Sequence, residues 1–157
     1  MARLSILAAA AIATALAVSA APAQAAMGVC QTTKTHYRTT TEGAMTTSTT
    51  FVELPKSRAV FRQGGKKAGC VIVRLSAVPR DDYIMTVRAV MDEAKVARPD
   101  YVELEYESPG YLSPRGFEFV FPKVSPGRHV VRIEWHTNTS PSDESRMYRR
   151  TVTVEHR

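Results

Sequence analysis

The chain has 157 residues, 44% hydrophobic and 23% charged, with 21 Lys and Arg against 15 Asp and Glu. That is one domain of ordinary globular hydrophobicity, too short for a two-domain enzyme and too apolar for a disordered tail. The formal net charge of +6 favours contact with anionic surfaces.

The first element is a targeting segment. Arg3 precedes an apolar run from Leu4 to Val18, and Ala23-Gln24-Ala25 supplies a small-residue cleavage pattern. The run is about 15 residues, short of the roughly 20 that a helix needs to span a bilayer. Residues 1–25 are therefore expected to be a signal peptide cut after Ala25. Export to the periplasm or beyond follows, with no transmembrane anchor left on the mature chain. Cys30 follows Val29 beyond the cut, so a lipoprotein signal is not expected. Residues 26–157 are read as a single domain.

Cys30 and Cys70 are the two cysteines, 40 positions apart. An oxidising compartment favours their pairing, and the spacing carries no C-x-x-C redox or zinc signature.

Beyond the leader, period-two alternation dominates and no helical stripe is present. Cys30–Thr41 and Thr46–Leu54 are rich in Thr, which suits exposed or edge strands. Ser57–Arg62 reads as a short strand ending at the turn Gln63-Gly64-Gly65-Lys66-Lys67. Val71, Val73, Leu75 and Ala77 share one face of the next strand; Tyr83, Met85, Val87, Ala89 and Met91 share one face of another. Val102, Leu104 and Tyr106 alternate with Glu103, Glu105 and Glu107, and Phe117, Phe119 and Phe121 alternate with Glu118 and Val120. Two C-terminal runs, His129–Thr137 and Arg146–Glu155, are expected to pair as a hairpin. Its register sets Trp135 opposite Tyr148, Val131 opposite Val152 and Glu134 opposite Arg149, with Ile133 against Arg150 as its weak point. Seven prolines, Pro55 to Pro126, are expected between strands or at their ends, where they cost no ladder bonds. The expectation is an all-β antiparallel β-sandwich, Ig-like or jelly-roll, of eight or nine strands.

Gly69-Cys70-Val71-Ile72-Val73, Val87-Arg88-Ala89 with Asp92, Phe117-Glu118-Phe119, and Pro126-Gly127-Arg128-His129-Val130-Val131 with Trp135 carry a further likeness. Over residues 69–137 the chain resembles uncharacterised secreted bacterial β-sandwich domains. The resemblance implies a β-sandwich and no particular activity.

No catalytic motif emerges. There is no G-x-S-x-G elbow, no P-loop, no dinucleotide glycine pattern and no Asp-x-Asp-x-Asp loop. His36, His129, His136 and His156 are well separated, and His129 and His136 fall on opposite faces of one strand. Asp81-Asp82 and Asp92-Glu93 read as turns. No catalytic residue, metal ligand or cofactor is therefore assigned. Lys66-Lys67 and Arg149-Arg150 are the densest basic pairs, but basic residues interleaved with aromatics on one face, as a nucleic-acid reader needs, are missing. Among the rings, Trp135 follows the inward alternation, whereas Tyr111 lies in the loop Ser108-Pro109-Gly110-Tyr111-Leu112-Ser113-Pro114 and is the candidate ligand contact. The sequence thus points to an exported, non-enzymatic binding module. Its expected partner is an anionic envelope component, a polysaccharide or another envelope protein. A small secreted hydrolase with a site assembled across strands, or a subunit of an envelope assembly, are the alternatives.

Overall fold

The computed structural model describes residues 30–80, 84–104, 114–138 and 144–157. The expected signal peptide lies outside them, as do Asp81-Asp82, Tyr83, Glu105-Tyr106-Glu107 and Tyr111. Eleven strands and no helix occur among the described residues: β1 (Lys34–Thr40), β2 (Ala44–Thr46), β3 (Val52–Glu53), β4 (Ala59–Gln63), β5 (Gly69–Arg80), β6 (Met85–Met91), β7 (Lys95–Val96), β8 (Val102–Leu104), β9 (Arg115–Val124), β10 (Gly127–Thr137) and β11 (Ser145–His156). They form two antiparallel sheets in a sandwich-like arrangement. One is ordered β1-β11-β5-β9 with β2 also on β11; the other is ordered β3-β10-β6-β7 with β4 on β10 and β8 on β6.

The count exceeds the expected eight or nine because three edges are broken. β1 and β2 follow one another along the same flank of β11. β4 and β3 share one flank of β10, and β7 and β8 share one flank of β6. Each sheet is thus four positions wide. The expected strand Thr46–Leu54 is split, and its two ends, β2 and β3, lie in different sheets. Local bonds explain the split. Thr46 Oγ1 accepts from the Ser48 amide (3.1 Å) and Ser48 Oγ donates to the Thr50 carbonyl (2.7 Å), so Ser and Thr side chains compete with the ladder for the backbone.

The gap between β3 and β4 is filled by a side chain. Ser57 Oγ donates to the Ile133 carbonyl (3.2 Å) and accepts from the Ile133 amide (3.0 Å), standing in for a strand partner. Ser57 is buried, so Ser57→Ala leaves the Ile133 amide without its acceptor. A loss of about 1–3 kcal/mol is expected, read as a lower urea midpoint with unchanged slope.

Inward alternation agrees with the pattern of the sequence. Val71, Val73, Leu75, Ala77, Phe119, Phe121, Val131, Ile133 and Trp135 join one buried cluster fed by both sheets. Trp135 is fully buried (0% exposed). Pro79 and Pro122, however, lie inside strands rather than between them. Pro122 is on the outer strand β9, at the register shift between Gly69 and Val71, where a missing amide and an extra residue are tolerated.

The expected C-terminal hairpin does not form. β10 is flanked by β3/β4 and β6, and β11 by β1/β2 and β5. Neither has a flank left for the other, and the chain crosses between sheets after Thr137. Sequential strands pair often, not always. Glu134 therefore meets Arg88 (2.6 Å) and Arg132 (2.8 Å), not Arg149. Arg149 is exposed, with φ of 45°, at the register shift between Tyr148 and Thr151. Ile133 and Arg150, expected to conflict, belong to different sheets.

Cys30 and Cys70 are bonded, with Cα atoms 5.6 Å apart. Cys70 is in β5 and Cys30 precedes β1, with β11 between those strands. The bridge thus ties the start of an edge strand to the sheet interior. The Thr33 amide donates a hydrogen bond to the His156 carbonyl (2.8 Å).

The two lateral sides of the sandwich differ. On one, the backbones of Arg98 and Val120 exchange hydrogen bonds of 2.8 and 2.7 Å, joining the β7/β8 edge to β9. On the other, no ladder joins β1 to β4 among the described residues; Arg38 reaches the Arg58 carbonyl through its side chain (3.2 Å).

Candidate functional site

The unjoined side holds a cleft of about 360 Å³. Lys34 and His36 enter it from β1, Val60, Phe61 and Arg62 from β4, Arg128 from β10 and His156 from β11. Strand geometry explains this mixture. Lys34 and His36 are two apart and share a face, and β1 pairs Lys34 with His156. Arg62 and Arg128 are direct partners across the β4·β10 ladder, so their side chains start from neighbouring positions on one face. Lys34 and Arg62 are exposed on the edge strands β1 and β4, and charged side chains there blunt an exposed sheet edge, which gives them a structural use as well.

The cleft is basic. Its lining has no acidic residue. Elsewhere carboxylates are spent on cations: Glu42 on Lys56, Glu53 on Arg58, Glu118 and Glu155 on Arg74, Glu144 on Arg146, and Glu134 on Arg88 and Arg132. No ion pair joins Lys34, Arg62 or Arg128 to any described carboxylate.

Imidazoles form the inner wall. The His36 and His156 rings stack at 5.0 Å with planes 13° apart, and Phe61 lies 4.9 Å from His156. His156 is 1% exposed. Its Nδ1 is 2.7 Å from the Arg157 backbone oxygen; that oxygen only accepts, so the proton sits on Nδ1. Nε2 is buried without a partner. Burial pushes the His156 pKa below its ordinary 6.5, and His36 and Lys34 push the same way against the bond to Arg157.

The Asp92-Glu93 turn expected from the sequence forms directly after β6. Asp92, with φ of 55°, accepts from the Val130 amide (3.1 Å) and pairs with His129 (2.9 Å), whose other ring nitrogen faces the Ser125 carbonyl (2.9 Å). The His129 ring lies 5.7 Å from Phe61. Burial works to raise the Asp92 pKa, but the bonds from His129 and Val130, with the charges of His129 and Lys95, outweigh it and hold the carboxyl below its ordinary value.

These shifts set a pH dependence. The unfolded chain takes a proton on His156 near pH 6.5, which the folded protein resists. Stability is then full above that pH and falls as pH drops toward the lowered folded value. Asp92 adds a second loss in the carboxylate range, as pH falls through its depressed folded pKa. Urea midpoints measured from pH 8 to 3 are expected to decline in these two stages. His156→Phe should abolish the first stage while keeping the second.

The other residues singled out in the sequence do not converge. Trp135 is core. Tyr101 is 53% exposed, and Tyr111 lies outside the described residues. His129 and His136 point to opposite faces, and His136 packs edge-on against Phe51 at 4.4 Å, with the Arg88 guanidinium 3.7 Å above the same ring. Lys66 and Lys67 are exposed in their turn. Among the described residues no three His, Cys, Asp or Glu side chains are grouped to hold a metal, and no helix is long and apolar enough to cross a membrane. The cleft has no hydroxyl, thiol or carboxylate side chain to act as a nucleophile. It can bind and orient an anion.

The sequence matches no protein-family model and no curated protein.

Proposed function

We propose that the protein is an exported, non-enzymatic module that binds an anionic ligand, an acidic polysaccharide or another anionic envelope component, in the cleft between β1 and β4. The observation that carries this reading is the meeting of Lys34, Arg62 and Arg128 around one concavity whose lining has no acidic side chain. A disulfide between Cys30 and Cys70 accords with an oxidising compartment.

The scaffold we propose is a jelly roll rather than an Ig-like sandwich. With each broken edge counted once, the positions in chain order run 1-8-3-6 in one sheet and 2-7-4-5 in the other. That order suits two Greek keys wound together. An Ig-like fold keeps its first two strands in the same sheet, and here β1/β2 and β3/β4 are in different sheets.

The test is calorimetric titration with polygalacturonate and with neutral dextran at two salt concentrations. Binding of the acidic polymer alone, weakening with salt as screening requires, is expected. Equal binding of dextran, or no salt dependence, would contradict the reading. A subunit of a larger envelope assembly is the second reading, favoured by Tyr37 (77% exposed) and Met45 on the outer edge formed by β1 and β2. It predicts a concentration-dependent increase in mass by light scattering.

A further inference from the structure

Building on the anionic-ligand reading, we infer that the ligand is a hydroxyl-bearing carboxylate of the uronic-acid saccharide class. Its carboxylate lies on Arg62 and Arg128, and one of its hydroxyls donates to Nε2 of His156.

Two features of the cleft make complementary demands. Arg62 and Arg128 are cross-strand partners, and two guanidinium groups side by side recognise one carboxylate through charge-assisted hydrogen bonds. Nε2 of His156 makes the opposite demand. With the proton on Nδ1 and committed to the Arg157 backbone oxygen, Nε2 is a bare acceptor. It is buried, has no partner, and belongs to a residue lining the cleft. Stacking explains why no neighbour satisfies it: His36 presents a ring face to His156, not a ring edge. A buried acceptor left without a donor is costly, and a ligand that supplies the donor recovers that cost.

Each simpler ligand meets one demand and fails the other. A sulfate ion has only acceptors at neutral pH, so it serves the two arginines and leaves Nε2 empty. A neutral sugar brings hydroxyl donors and leaves both guanidinium groups unpaired. A uronate residue carries a carboxylate and hydroxyls on one ring. The cleft volume of about 360 Å³ falls at the lower end of small-molecule sites, which suits a short saccharide segment with its chain running out to solvent. Val60, half-exposed at the rim, offers an apolar surface to the C–H face of the sugar.

The experiment titrates the disulfide-bonded protein at neutral pH with trigalacturonate, its trimethyl ester and sodium sulfate. The proteins compared are the wild type, His156→Phe and the double variant Arg62→Gln/Arg128→Gln. Trigalacturonate is expected to bind at least about tenfold tighter than the ester, the ratio that one charge-assisted contact supplies. His156→Phe is expected to cost trigalacturonate about tenfold and to leave sulfate binding unchanged. Nitrogen-15 NMR of the wild-type histidines gives a readout that does not depend on how a variant folds. The His156 Nε2 resonance should move upfield on adding trigalacturonate and stay put on adding sulfate. Sulfate binding as tight as trigalacturonate, with Nε2 unmoved by either, overturns the saccharide inference and leaves the anion site standing. Unchanged trigalacturonate binding by the double arginine variant overturns the anion site itself.

Discussion

Replacing Trp135 with alanine is expected to destabilise the protein by about 3–5 kcal/mol. Trp135 is among the largest fully buried side chains and sits in β10, with Val52 in register on one flank and Val87 on the other. Its ring shares the core with Phe119 and Phe121 from the opposite sheet, so truncation removes apolar burial and opens a cavity between the layers. A domain is stable by about 5–15 kcal/mol, so this single change takes a large share of the total. Trp135 is the sole tryptophan, and the variant loses its fluorescence probe. Guanidinium unfolding is therefore followed by circular dichroism. A midpoint shift corresponding to less than about 1 kcal/mol would mean that the cavity collapses almost completely.

Removing the disulfide is expected to cost a similar amount. Cys30 and Cys70 close a loop of 40 residues, and in the chain-entropy model that constraint contributes about 4 kcal/mol. Cys30→Ala/Cys70→Ala should show this loss at equilibrium, and reductant should have a matching effect on the wild type. The consequence is also local. The bridge holds the approach to β1, four residues before Lys34, and β1 carries Lys34 and His36 into the cleft. Without it, β1 keeps its ladder to β11 but loses its covalent tie to β5. Amide exchange in β1 is expected to accelerate more than exchange in β10, and ligand affinity to fall. An unchanged unfolding midpoint in reductant would contradict this role for the bridge.

The facing of strand residues was legible in the sequence, and their partnership was not. Alternation tells which side of a strand is buried, so Val71 through Ala77, the phenylalanines of β9 and Trp135 were readable as core. It carries no information on which strand lies alongside. Nearest-neighbour pairing for β10 and β11 was therefore a reasonable expectation that the sandwich overrides, because each strand already has two neighbours. The outward face of β10 was misleading for the same reason. Glu134 is only 8% exposed, held between Arg88 of β6 and Arg132 of its own strand, and no pattern within β10 announces a partner from β6.

The cleft was invisible for a sharper reason. Its basic groups are spread over β1, β4, β10 and β11, with no more than two from any one strand, so no dense local cluster of charge or histidine marks it. Dense basic pairs such as Lys66-Lys67 drew attention instead, yet they stand exposed in a turn. The signals that were present, Lys34 and His36 at a spacing of two and the distant His156, gain meaning only once the β1·β11 register sets Lys34 against His156. His156 illustrates the limit: its Nδ1 is satisfied by the next residue, and its demand for a donor exists only because the fold buries Nε2.

The central claim, that an anionic ligand lies between the edges of β1 and β4, is tested most directly by mapping amide and side-chain shifts during titration with trigalacturonate. The account predicts perturbations centred on Lys34, His36, Phe61, Arg62, Arg128 and His156, with the far edge around Arg98 and Val120 silent. Perturbations centred instead on the outer sheet face around Tyr37 and Arg74, or on the Arg98–Val120 side, would contradict it.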